Sequence, residues 1–109
     1  MDALAEATKH DTSKVRMELL PMDVLEDVSR VLTFGAEKYD AWNWAKGMDW
    51  SRLYGACLRH LTAWRLSDEP DPETGLSHLH HALCCLMFLS AYERRGIGNN
   101  DLPLEAPRT

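Results

Sequence analysis

The sequence predicts an all-α protein, a compact bundle of three main helices completed by oligomerisation. Three observations lead there. Apolar residues recur at helical spacing in three separate segments, short stretches rich in Pro, Gly and Asp divide those segments, and no segment shows the strict alternation of a half-buried strand. A chain of 109 residues is about one domain with a modest core, and self-association enlarges such a core.

Residues 1–13 are mostly small and polar and read as a loose N-terminal arm, residues 14–95 as the helical domain, and residues 96–109, with their Gly, Asn and Pro, as a loose tail. The first helix opens near Pro21, whose fixed φ suits a first turn. Val24, Leu25, Val28, Val31, Leu32 and Tyr39 form its apolar stripe, and Gly35 is a weak point. The second follows a Ser51 cap and gathers Leu53, Cys57, His60, Leu61 and Trp64 on one face. The third runs roughly from Leu76 to Arg94, with arginines at the end where they favour the helix dipole. At 100° per residue it shows two apolar faces: Leu76, Leu79, Leu83, Leu86 and Met87 on one, which is expected to do the packing, and His78, His81, Cys85 and Tyr92 on the other. Such a helix is central, with partners on both sides, one of them a second subunit.

A formal charge of -5, from 12 basic and 17 acidic residues, argues against a nucleic-acid polymer as partner. Three cysteines in apolar helical patterns read as buried reduced thiols, which points to the cytoplasm. The chain carries no signal pattern and no run long enough to span a bilayer, so no membrane role is expected.

Two groupings carry chemistry. His78 and His81 stand at i, i+3, a spacing that lets two imidazoles converge on one metal or one phosphate, and His60 can supply a third nitrogen from the facing helix. The competing reading is three ordinary histidines in a helical core. Asp71 and Glu73 are candidate additions to a metal site, although acidic loops are usually just solvated; His80 and His10 belong to packing or solvent. The second grouping is "FGAEKYDAWNWAKGMDW", where Lys38, Tyr39, Asn43 and Trp44 combine phosphate-holding, stacking and base-reading groups. Arg16, Arg52 and Arg59 add phosphate contacts. The competing reading has the tryptophans plugging the end of the bundle.

The segments "KVRMELLP", "VLTFGAEKYDAWNW", "SRLYGACLRHLTAW" and "DPETGLSHLHHALCCLMFL" together resemble the phage and prophage dATP/dGTP diphosphohydrolase N-terminal family, related in style to MazG-like all-α nucleotide pyrophosphohydrolases. The resemblance covers roughly residues 14 to 93 and implies an α-helical, oligomeric, nucleotide-handling protein of the host cytoplasm. It marks Arg16, Lys38, Tyr39, Asn43, Trp44, Arg59, His60, His78 and His81 as the matching positions. MazG-like enzymes hold Mg²⁺ with paired carboxylates, E-x-x-E and E-x-x-D. This chain has Cys57-x-x-His60 and His78-x-x-His81 in those places, donors suited to a softer ion such as Zn²⁺, or to phosphate directly with no metal; Mn²⁺ and Mg²⁺ stay open as alternatives. Glu37 and Asp40 form an acidic pair at the end of the first helix. The expected activity is cleavage of a (deoxy)nucleoside triphosphate to the monophosphate and pyrophosphate, with His60, His78 and His81 as metal ligands or acid and base groups. The alternative is a non-catalytic protein that sequesters a host immune nucleotide signal, an anti-defence role; a purely structural helix bundle is the third reading.

Overall fold

The computed structural model describes residues 6–105. A short 3₁₀ turn (Met17–Leu19) leads into α1 (Met22–Lys38). A second 3₁₀ turn (Asn43–Lys46) precedes α2 (Trp50–Leu66), and a loop then enters α3 (His78–Arg95). Among the described residues there is no strand, only an isolated bridge between Asp49 and Asn99.

α3 is the central helix, with α1 and α2 each packed on it; the α1 contact uses Cys84 and Phe88, which lie on neither of the two faces read from the sequence. Against α1 it sets Cys84 onto Val28 and Val31, with Leu32, Leu76 and Phe88 closing the cluster. Against α2 it sets Ala82 and Cys85 onto Cys57 and Ala56. The small side chains of this second contact let the two helices lie close. Burial pushes the Cys84 thiol up to about 12 and the Cys85 thiol to about 11, so both stay protonated and unreactive, as buried reduced cysteines should.

Several details differ from the sequence expectation. The face of α3 that packs on α2 is the one carrying His78, His81, Cys85 and Tyr92. On the leucine face Leu83, Leu86 and Met87 are 39%, 51% and 47% exposed. Both faces are apolar enough to be buried, but the α2 contact is made through the small side chains of Ala56, Cys57, Ala82 and Cys85. Pro21 sits one position earlier than expected, as the residue before α1. Ser51 does not cap α2; Asp49 precedes the helix, and the Ser51 backbone N–H and hydroxyl both donate to Asp101. α3 begins two residues later than expected, where the Ser77 hydroxyl oxygen accepts from the Leu79 N–H at 3.2 Å. Tyr39 lies beyond the end of α1 and is exposed, outside the stripe, while α1 runs through Gly35 without a break.

The start of the expected loose tail is tied down. Trp50 donates its backbone N–H to the Asn99 carbonyl and its indole N–H to the Ile97 carbonyl, both at 2.9 Å. Gly98, at φ +75°, lies so near the Met48 carbonyl oxygen that a Cβ there would overlap it. The outer parts of both expected loose ends, residues 1–5 and 106–109, lie outside the described residues.

Candidate functional site

The helical spacing of α2 puts His60 on the face that carries Cys57, and the first turn of α3 delivers His78 and His81 to the same place. His60 Nδ1 and His78 Nδ1 are 2.9 Å apart and hydrogen-bonded, so one ring carries the proton that the other accepts. The His60 and His81 rings stack at 4.6 Å with 14° between their planes. Three imidazoles expected from sequence to meet are therefore in one cluster.

The loop before α3 completes it. Asp71 Oδ1 accepts from the backbone N–H groups of Glu73 and Thr74 at 3.0 Å each, and lies 3.2 Å from the Thr74 hydroxyl. The Gly75 N–H returns to the Asp71 carbonyl at 2.8 Å, a closure that uses the left-handed conformation of Gly75, φ +71°. Thr74 Oγ1 then stands 2.7 Å from His81 Nε2. Lys38 at the end of α1 donates to Glu73 at 2.6 Å, fixing the outer side of the loop, and this contact raises its pKa.

Ligand atoms of His60, Asp71 and His78 all lie within 4.8 Å of one another, a grouping compatible with a single metal ion. The proton that bridges His60 and His78 and an ion cannot share those nitrogens, so an ion bound through them would release it. The donor set of two imidazoles and one carboxylate suits first-row divalent ions better than Mg²⁺, which favours oxygen. Asp71 was only a marginal candidate in the sequence and Thr74 was missed. The visible signal was the Asp-x-x-Thr-Gly turn immediately before the histidine helix.

Burial, with His81 and His78 beside it, lowers the pKa of His60 from 6.5. Burial likewise lowers that of His81, with Asp71 opposing. For Asp71, burial alone would raise the pKa, but the hydrogen bonds from Thr74 and the nearby His81 hold it below the ordinary carboxylate value. Between 6.5 and the lowered native values the unfolded chain takes up protons that the folded chain does not, so acid favours unfolding. Stability from this source is complete above pH 6.5 and declines as the pH falls below it. In the presence of a chelator the melting temperature should drop between pH 7.5 and pH 5.5, and the drop should shrink in His60→Gln/His81→Gln. An equal drop in that variant would assign it to other groups.

The remaining candidates lie elsewhere. Trp44 stacks on Phe88 with ring centroids 4.9 Å apart and an 11° interplanar angle, Arg95 covers it at 5.7 Å, and its carbonyl accepts from the Tyr92 hydroxyl. Its contacts are thus with the C-terminal half of α3, while His78 and His81 occupy the first turn; at about 1.5 Å per residue Tyr92 is roughly 21 Å along the helix from His78. Asn43 opens the 3₁₀ turn beside it. Lys38 lies over the exposed Tyr39 ring at 5.3 Å from its centre. Arg16 pairs with Glu18 before α1. Arg52 and Arg59 are exposed on α2, Arg59 next in sequence to His60. His80 faces Asp27 of α1 at 3.6 Å, a packing role as expected. Trp64, read from sequence as a core residue, is 48% exposed, and with His78 it lines a cleft of about 470 Å³.

Fold and site together define an all-helical protein that gathers imidazole and carboxylate donors where two helices meet a loop, beside an open cleft. Residues 5–102 match the family described as "dATP/dGTP diphosphohydrolase, N-terminal", and the chain belongs to that family. It is 40% identical over 81 residues to a protein of Salmonella phage PMBT28 named dATP/dGTP diphosphohydrolase. That match takes in 74% of this chain but 28% of the relative, so the chain spans under a third of the length of the protein it resembles. No solved structure matches. Among the described residues no helix is long and apolar enough to cross a membrane.

Proposed function

We propose that the protein acts on a purine deoxynucleoside triphosphate, releasing the monophosphate and pyrophosphate, and that the cluster of His60, Asp71, His78 and His81 is where the phosphates are handled. The observation that carries this reading is the convergence of His60, Asp71 and His78 at metal-ligand distances in a chain whose family is named for nucleotide hydrolysis. Nothing in the relative's name favours the sequestration alternative.

In this reading His60, Asp71 and His78 hold one divalent ion. When bound, such an ion neutralises phosphate charge and polarises a P–O bond. The protein's own groups set the rest. A carboxylate can only accept, so the Thr74 hydroxyl donates to Asp71 and His81 donates from Nε2 to Thr74, which leaves His81 Nδ1 as the ring's acceptor. Held neutral by burial, that ring is suited to take a proton from an attacking water. Arg59, next to His60 on α2, supplies positive charge to the phosphates. The reading is tested by incubating the protein with dATP or dGTP and a divalent ion and resolving the products by anion exchange. Monophosphate with pyrophosphate supports it, whereas diphosphate with orthophosphate, or no turnover, opposes it.

A second copy of the chain covering the exposed Leu83, Leu86 and Met87 face belongs to the same proposal, because an apolar stripe of this kind on a central helix calls for a partner. Light scattering at micromolar concentration should give a mass above that of one chain. A monomer mass would contradict it.

A further inference from the structure

The cleft beside His78 shares only that residue with the three-donor grouping, and its other lining residues have no part in holding the ion. Its lining includes Trp64, Arg65, Asp68, Glu69, Ser77 and His78, and its volume of about 470 Å³ lies within the range of small-molecule sites. Trp64 stands one helical turn after His60 on α2, so a half-exposed indole face borders the space that opens next to the imidazoles. An exposed indole offers a base more stacking surface than any other side chain, and Trp44, the other candidate, already stacks on Phe88. The acids are informative in a different way. Ionised carboxylates accept hydrogen bonds and donate none, so Asp68 and Glu69 match a base edge that donates, and an exocyclic amino group adds a donor to that edge: guanine offers N1–H and its 2-amino group together, adenine its 6-amino group, hypoxanthine N1–H alone.

We infer that this cleft is the base subsite: a purine stacks on Trp64, its amino group donates to Asp68 or Glu69, and the phosphates run past His78 to the histidine cluster. The inference rests on the nucleotide reading above and adds to it a base position and a selectivity. A purine carrying an exocyclic amine binds, and one lacking it binds less well. Arg65 stands at the same cleft and offsets part of its negative charge.

The test uses deoxynucleoside monophosphates, which cannot lose pyrophosphate during the measurement. By calorimetry, dGMP should bind the wild-type protein roughly tenfold more tightly than dIMP, which differs only in lacking the 2-amino group. Trp64→Ala should weaken dGMP roughly ten- to a hundredfold and Trp64→Phe should restore much of the loss. The pair Asp68→Asn/Glu69→Gln should bring dGMP and dIMP closer together. Trp64 is half exposed, so its removal leaves the helix contacts in place, and far-ultraviolet circular dichroism checks this. If dGMP binds the wild type and Trp64→Ala with equal affinity, or dIMP binds as well as dGMP, the subsite is wrong while the nucleotide reading stands. If neither dGMP nor dGTP binds the wild type at all, both fail together.

Discussion

His78→Ala is expected to reduce cleavage of dATP or dGTP by about 10²- to 10⁴-fold, the range seen when a group that acts directly on the reacting centre is removed. His78 is the residue on which the site's parts depend together. It shares a proton with His60, contributes a nitrogen to the three-donor set and lines the cleft. The substitution should leave the fold intact, since α3 is capped by Ser77 and alanine is the best helix former. His80→Ala, which removes a ring packed toward Asp27 of α1 and away from the three-donor set, serves as the control and should retain most of the activity. Comparable loss in both variants would point to damage at the start of α3 and away from chemistry at His78.

The largest effect on stability is expected at Tyr92. Its side chain is 0% exposed, and its hydroxyl donates to the Trp44 carbonyl at 2.5 Å, joining the 3₁₀ turn to α3. Its own carbonyl receives the Gly96 and Ile97 N–H groups that end the helix. Tyr92→Ala removes a fully buried ring and should cost about 3–5 kcal/mol in chemical denaturation. Tyr92→Phe keeps the ring and loses one hydrogen bond, and the Trp44 carbonyl still accepts from the Gly47 N–H, so the cost falls to about 1 kcal/mol. Equal losses in the two variants would place the effect in the hydroxyl.

The three helices were legible because apolar residues at 3.6-residue spacing leave few alternatives, and so was the meeting of His60 with His78 and His81, which share the packed face of two neighbouring helices. The choice between the two faces of α3 was not legible. Leucine and cysteine are both apolar, and hydrophobicity alone does not reveal that Cys57, Ala82 and Cys85 permit a closer contact. Trp44 illustrates a related limit, because an indole that stacks on a base and one that stacks on Phe88 are the same letter in a sequence. The pinned segment at 97–101 depends on partners about fifty residues away, Trp50 and Ser51, a pairing that no local pattern announces. Thr74 was hidden for the same reason, and Asp71 stood out no more than its neighbour Glu73. Their turn is local, but its value comes from where α2 places His60.

The central claim is that His60, Asp71 and His78 form one ion site. Its most direct test is calorimetric titration of the metal-stripped protein with Zn²⁺ and with Mn²⁺ at pH 7.5, in the wild type and in His60→Ala/His78→Ala. The site predicts one saturable ion per chain in the wild type and at least a tenfold weaker affinity in the double variant. Absence of binding to the wild type, or equal affinity and stoichiometry in the two proteins, would contradict it.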